Sequence, residues 1–237
     1  MTDALRIDAV TKKFVGLTAL EDVTFAVEPG EVVALIGPNG AGKTTLFNVL
    51  AGRAKQTSGS VHLFGEDISG TSVRHRVRRG IVATFQIPRS WGNLTVAEAL
   101  GVAARYGDPR ASDVARRVAT LCDRFELRPD VSTVDLGLHG LKKFELCRAL
   151  AVDPRVILLD EVASGLDEEE RVLIIATVRE LAAEGKTVVL VEHSVPFVRA
   201  VSDRAVALSF GRVIGSGPVD DVLELPEVAA AYLGVRA

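Results

Sequence analysis

Long apolar runs are missing from this 237-residue chain. No stretch approaches the ~18 uncharged apolar residues that a membrane-crossing helix needs. Cysteine is nearly missing too. Cys122 and Cys147 have no metal-like spacing, which predicts a reducing compartment without structural disulfides. No charge sign dominates: 28 Lys and Arg face 31 Asp and Glu, a net −3. Bulk charge therefore gives no ground for a nucleic-acid partner. Internal repeats and low-complexity segments are absent. Met1-Thr2-Asp3-Ala4-Leu5 holds no basic patch leading into an apolar run, so no signal peptide is expected. Any membrane association is expected to pass through a partner. Hydrophobic residues make up 48%, enough for a sizeable core. The length suits one large domain, or a core with a small second lobe.

Leu35-Ile36-Gly37-Pro38-Asn39-Gly40-Ala41-Gly42-Lys43-Thr44-Thr45 organises the rest. It fits G-x-x-x-x-G-K-[ST], a phosphate-binding loop. Glu31 to Ile36 predicts a buried strand before it, and Thr44 to Ala51 a helix after it, closed by Gly52. Strand, loop and helix are the context this motif requires. Gly37, Gly40 and Gly42 let the backbone curl so that amides point inward at phosphate oxygens. The helix N-terminus adds partial positive charge. Lys43 is placed for the β- and γ-phosphates, and the Thr44 hydroxyl for Mg²⁺.

Further strands are predicted at Leu5 to Val10, Val23 to Val27, Ser60 to Phe64 and Ile81 to Phe85. From about Thr95 to Leu127 the spacing turns helical, broken at Gly107-Asp108-Pro109, and a third helix runs from about Leu141 to Ala151. Val156 to Leu159 is apolar on every side, as a central parallel strand should be. An amphipathic helix (Glu168 to Glu184), a strand (Thr187 to Val191) and a helix (Ser194 to Val201) follow. A hairpin around Gly211 and a helical tail interrupted by Pro226 end the chain. Strands alternating with helices around a phosphate loop predict an α/β core with a mostly parallel sheet. The early strands predict an added antiparallel sheet, and the middle of the chain a small helical lobe.

Asp160-Glu161 ends the strand Val156 to Leu159. After a phosphate loop such a pair fits Mg²⁺ holding by Asp160 and polarisation of the attacking water by Glu161. Helix capping is the competing role for such acids, and Asp167 in Ser164-Gly165-Leu166-Asp167 fits an N-cap equally well. Gln86 ends a buried strand, where it can reach metal and water or stand idle on the surface. His193 follows an apolar strand and can be structural or catalytic. Phe14 follows the first strand and fits a core position.

In their order along the chain, these residues resemble the nucleotide-binding subunit of an ATP-binding-cassette (ABC) transporter. The likeness covers essentially the whole chain. Gly37 to Thr45 looks like Walker A, Gln86 the Q-loop, Asp160-Glu161 Walker B, Ser164 to Asp167 the D-loop and His193 the switch histidine. Phe14 is similar to the aromatic that stacks on adenine. The resemblance implies one ABC ATPase domain over 1–237, with 1–86 and 153–237 as core plus antiparallel sheet and about 87–152 as the helical subdomain. It implies ATP and Mg²⁺, with Thr44, Gln86 and Asp160 at the metal and Lys43, Gln86, Glu161 and His193 at the chemistry. Gly37, Pro38, Asn39, Gly40, Ala41, Gly42, Lys43, Thr44 and Thr45 would hold the phosphates. It further implies a second ATPase subunit, transmembrane permease subunits and, indirectly, a solute-binding protein, at the cytoplasmic face of a membrane. Val191-Glu192-His193-Ser194, Val201-Ser202-Asp203-Arg204 and Phe210 to Pro218 look like the importers of branched-chain amino acids and related amides.

The chain departs from the family at its LSGGQ signature. The matching stretch is Leu136-Gly137-Leu138-His139-Gly140, which lacks the serine and puts Leu138 and His139 at the central glycines. Val162 stands where proline is usual. An irregular signature predicts a heterodimer whose partner supplies a more regular one. The rival reading is a nucleotide-gated regulatory module with little turnover; a GTPase is disfavoured because N-K-x-D is missing. Arg74 to Arg79, the densest basic run, predicts a solvated helix face, with contact to lipid headgroups or a partner as the alternative. Trp91, beyond Gln86, is either lobe core or part of a docking loop.

Overall fold

The computed structural model describes residues 2–85, 87–107 and 112–233, and for 231–233 the backbone alone. Elements run β1 (Leu5–Phe14), β2 (Leu17–Val27), β3 (Val32–Ile36), α1 (Lys43–Leu50), β4 (Ser58–Leu63) and β5 (Glu66–Asp67). Then come α2 (Val73–Arg78), β6 (Ile81–Ala83), α3 (Val96–Gly107), α4 (Val114–Arg124), a 3-10 turn (Thr133–Asp135) and α5 (Leu138–Ala151). The last third holds β7 (Val156–Asp160), α6 (Glu168–Ala183), β8 (Thr187–Val191), α7 (Val195–Val201), β9 (Arg204–Ser209), β10 (Arg212–Pro218), α8 (Val219–Leu223) and α9 (Pro226–Leu233).

Among the described residues the strands make two sheets. One has six strands in the order β10-β9-β3-β8-β7-β6, parallel except for the β10 edge. The other has four, β2-β1-β4-β5, all antiparallel. The expected mostly parallel core and added antiparallel sheet are both there. Every residue of β3, β7 and β8 is buried, as befits strands covered on both faces. Their side chains divide by alternation. Val33, Leu35, Val156, Leu158, Val189 and Val191 face α1 and the antiparallel sheet. Val32, Ile36, Ile157, Leu159, Val188 and Leu190 join the cluster built by α3, α4, α5 and α6. The helical lobe is thus continuous with one face of the parallel sheet.

The strand expected at Ile81 to Phe85 stops at Ala83, and Phe85 is exposed. Two larger expectations change. First, α5 begins at Leu138 rather than near Leu141. Gly137 is its N-cap, with extended backbone, and its carbonyl accepts from the Leu141 amide at 2.9 Å. Second, the basic run is not simply a solvated face. Arg74 and Arg78 are exposed, but Arg76 on α2 is only 1% exposed. Its guanidinium donates to the carbonyls of Val49 and Leu50 at 2.6 Å each and to Ile68 at 2.8 Å. The first two belong to the last turn of α1, where a cation also meets the negative end of the helix dipole. Burial pushes the Arg76 pKa down to about 10. Gly52 must lack a side chain here, because a Cβ would come within 2.8 Å of Arg76 Nε.

Candidate functional site

The phosphate loop leaves β3 at Ile36 and turns back under β9. Gly37 sits at φ 140°, and a Cβ there would lie 2.1 Å from the Leu208 carbonyl. Gly42, at φ 104°, would bring a Cβ within 2.7 Å of the Ala19 carbonyl. Only glycine satisfies both backbone angle and space. α1 starts at once after Gly42, with no side-chain cap and no acid in its first turn. Lys43 is 6% exposed, and its ammonium donates to the carbonyls of Gly37 at 2.6 Å and Pro38 at 2.9 Å. Burial lowers its pKa, and the nearby Glu161 charge opposes that shift. A buried cation resting on two loop carbonyls is placed to exchange them for phosphate oxygens.

Asp160 and Glu161 end β7 with different surroundings. Asp160 is 7% exposed, and its amide donates to Thr84 Oγ1 at 3.1 Å. Burial first, and then the Glu161 charge, raise its pKa. Such a carboxylate gains from a neighbouring cation, and carboxylate and hydroxyl oxygens, as on Asp160 and Thr44, are the hard donors that Mg²⁺ takes. Glu161 has φ 49°, a left-handed angle that is costly for a residue with a Cβ. Its amide donates to the Val191 carbonyl at 2.9 Å, which pins the turn to β8. Its Oε1 lies 3.0 Å from His193 Nε2.

One cavity of about 510 Å³ gathers these parts. Its lining includes Asn39 through Thr45, Glu161, Val191 and His193, with Leu17, Phe210 and Gly211 at other edges. Lys43, Thr44, Glu161 and His193 are therefore brought together. Asp160 lines a different cleft, shared with Glu161, Thr84, Phe85, Lys142 and Glu145. Phe14 lies outside the 510 Å³ lining. It is 49% exposed, pairs with Leu17 across the β1–β2 turn and has the Lys12 ammonium 4.7 Å over its ring. Gln86, expected at metal and water, lies outside the described residues, as do Asp108 and Pro109 of the expected helix break.

Some functional candidates escaped the sequence reading. Glu145 on α5 is 4% exposed, and its Oε1 accepts the Phe85 amide at 2.7 Å, next to Gln86 in the chain. The Phe85 ring centre has the guanidinium of Arg53 at 4.1 Å and that of Arg148 at 5.3 Å. Glu192 is 3% exposed; burial raises its pKa, and its Oε1 accepts the Ala163 amide at 2.9 Å. Glu145 belongs to no motif, and Glu192 only to the stretch Val191 to Ser194; the amides they accept lie 60 and 29 residues away. Only the oddity of an acid in an apolar stretch marks them in sequence.

The signature stretch does sit at a helix start. His139 Nδ1 is hydrogen-bonded to Glu170 Oε2 at 2.7 Å, and Lys142 donates to the Ser164 carbonyl. Leu138 is 62% exposed. Asp167 proves to be an N-cap: it accepts the Glu170 amide at 2.8 Å, and Glu170 accepts the Asp167 amide in return. Trp91 packs edge-on against Phe144, with centroids 6.5 Å apart, and its amide donates to Thr133 Oγ1 at 2.8 Å. That geometry favours the core role over the docking role.

Comparison with known proteins bears on this arrangement. The family described as ABC transporter matches residues 20–164. The high-affinity branched-chain amino acid transport ATP-binding protein BraF of Pseudomonas aeruginosa is 32% identical, over 97% of both chains. The ribose import ATP-binding protein RbsA of a Jannaschia species is 34% identical over 93% of this chain and 44% of its own length. Among solved structures, the ADP conformation of the cassette MJ1267 superposes with a TM-score of 0.87 at 29% identity, over 99% of this chain and 100% of that one. The chain therefore belongs to the ABC transporter family, as an ATP-binding and ATP-hydrolysing subunit.

Proposed function

We propose that this chain powers an importer of branched-chain amino acids or related amides from the cytoplasmic face of a membrane. The observation that carries the catalytic part is the single cavity joining Lys43, Glu161 and His193. The full-length likeness to BraF supports the solute class. Comparable identity to a ribose import protein means that the likeness alone does not fix the solute, and in this reading other subunits choose it.

In this reading the amides of Gly37 to Thr45 cradle the phosphates, Lys43 neutralises the β- and γ-phosphates, and Phe14 stands on the base side. Thr44 and Asp160, with Gln86, would hold Mg²⁺, which when bound neutralises charge on the phosphate oxygens. Glu161 orients and polarises the attacking water, and His193, 3.0 Å from it, steadies that carboxylate. The domain divides at 1–86 and 153–237 for the core and about 87–152 for the lobe that meets the permease. A second cassette completes each ATP site, with a solute-binding protein acting indirectly. Leu138 and His139 in the signature favour a heterodimer, since a leucine side chain and a histidine bonded to Glu170 stand where the family keeps bare backbone.

Glu161→Gln tests the chemistry. It should leave ATP affinity within about twofold and lower turnover about a hundredfold or more, the usual scale for a lost general base. Equilibrium titration and phosphate release measure the two separately. Parental turnover in Glu161→Gln would refute the assignment. Co-purification with permease subunits, and transport assays on the assembled complex, test the solute class.

A further inference from the structure

The β9–β10 hairpin carries a residue that the nucleotide reading has not used. Phe210 is 91% exposed and sits at φ 46°. A left-handed turn position suits Gly, Asn or Asp, and an open hairpin tip suits a polar side chain. Phenylalanine is unfavourable on both counts. The turn is nevertheless rigidly placed. The Gly211 amide donates to the Ala41 carbonyl at 3.0 Å, and the Gly211 carbonyl accepts from the Glu21 amide at 2.8 Å. A Cβ on Gly211 would stand 2.8 Å from the Ala19 carbonyl. Phe210 is therefore held near the phosphate loop by its neighbour Gly211, whose amide bonds a loop carbonyl.

The cavity lining is chemically mixed. Lys43, Thr44, Glu161 and His193 are its polar members, while Leu17, 63% exposed, and Phe210 are apolar ones. A nucleoside triphosphate is mixed in the same way, a triphosphate joined to a flat aromatic base. Bases stack on aromatic rings whatever their sequence context, through the π-face. Phe14 has a cation over its ring and lies outside the lining; Phe210 lies within it.

We propose that Phe210 is an aromatic seat for the nucleobase in addition to Phe14, with Leu17 lining the same cavity. The proposal rests on the reading that Gly37 to Thr45 hold the triphosphate of ATP. Phe210 selects for a base-bearing ligand, while the loop holds any triphosphate. It also makes the hairpin report base occupancy to β9, which lies beside β3 in the sheet.

The test is calorimetric titration of the full chain, with Mg²⁺, by ATP and by inorganic tripolyphosphate. Phe210→Ala should weaken ATP binding about tenfold, the effect of one lost stacking contact, and leave tripolyphosphate affinity unchanged. Phe210→Asn, which suits the left-handed turn, should show the same loss. Phe210→Tyr should bind ATP like the parent. Equal weakening of both ligands would mean that the ring acts on the loop geometry and would overturn the proposal. Unchanged ATP affinity in both ring deletions would overturn it too, and would give the exposed ring to a partner surface. Normal ATP affinity in Phe210→Asn but not in Phe210→Ala would assign the effect to turn stability instead. A parent chain that bound neither ligand would refute the phosphate-loop reading itself, and this proposal with it.

Discussion

Helices α1 and α6 both follow buried strands of the parallel sheet, and their N-termini are finished in opposite ways. α6 is sealed. Asp167 and Glu170 exchange side-chain and amide bonds across its first turn, and Glu168, Glu169 and Glu170 place acid against its positive end. α1 is left bare, with a glycine N-cap and no acid in the first turn. The other end of α1 is closed by Arg76. The same helix is thus satisfied where no ligand comes and unfilled where the phosphate loop meets it. A bare helix start gives up cap stability, and an anion recovers it on binding. α5, the signature helix, also starts on an uncapped glycine without acid in its first turn. In the dimer proposed above, that end faces the partner's nucleotide.

The sharpest way to break this contrast is to give α1 what α6 has. Thr45→Glu puts a carboxylate in the first turn of α1. Acid there favours the helix but repels a triphosphate. ATP affinity should fall at least about tenfold while the melting temperature holds or rises. Titration and thermal melting on one preparation show both. A joint fall would mean that Glu disrupts the loop, and the dipole argument would fail.

The second prediction attacks the closed end of α1. Arg76→Ala leaves carbonyls of Val49, Leu50 and Ile68 without their buried charged donor. Losing charge-assisted bonds in a buried site should cost about 3 kcal/mol. Arg78→Ala, on the exposed side of the same helix, should change stability by less than about 0.5 kcal/mol. Urea melts of both variants make the comparison. Equal, small effects would return the basic run to the solvated role read from its sequence.

That misreading shows where sequence was informative. β3, β7 and β8 were legible because unbroken apolar runs have one common use, and the loop from Gly37 to Thr45 because its chemistry is local. Arg76 was not, since its partners lie 26 and 27 residues upstream on another helix. The start of α5 was blurred because Gly137 and Gly140 weaken the helical pattern. Phe210 read only as part of a hairpin, for its closeness to Ala41 depends on β9 pairing beside β3. Glu145 and Glu192 were hidden for the same reason. Each is a buried acid whose partner arrives from a distant element.

The smallest expected effect comes from unsealing α6. Asp167→Ala removes the acceptor for the Glu170 amide and frees the Glu170 side chain from its return bond. Loss of an N-cap of this kind should cost about 1 kcal/mol. In a chain of this size that lowers the melting temperature by about 2–4 °C. Asp167→Asn keeps an acceptor oxygen and should recover most of the loss. ATP affinity of the isolated chain should not change in either variant, because Asp167 is not part of the cavity lining that holds the phosphate loop. The outcome separates the two helix starts by function: a change at α1 moves binding and spares stability, and a change at α6 does the reverse. If Asp167→Ala weakened ATP binding with no change in melting temperature, the cap would not be its role, and α6 would have to be counted with α1 as an end kept open for a ligand.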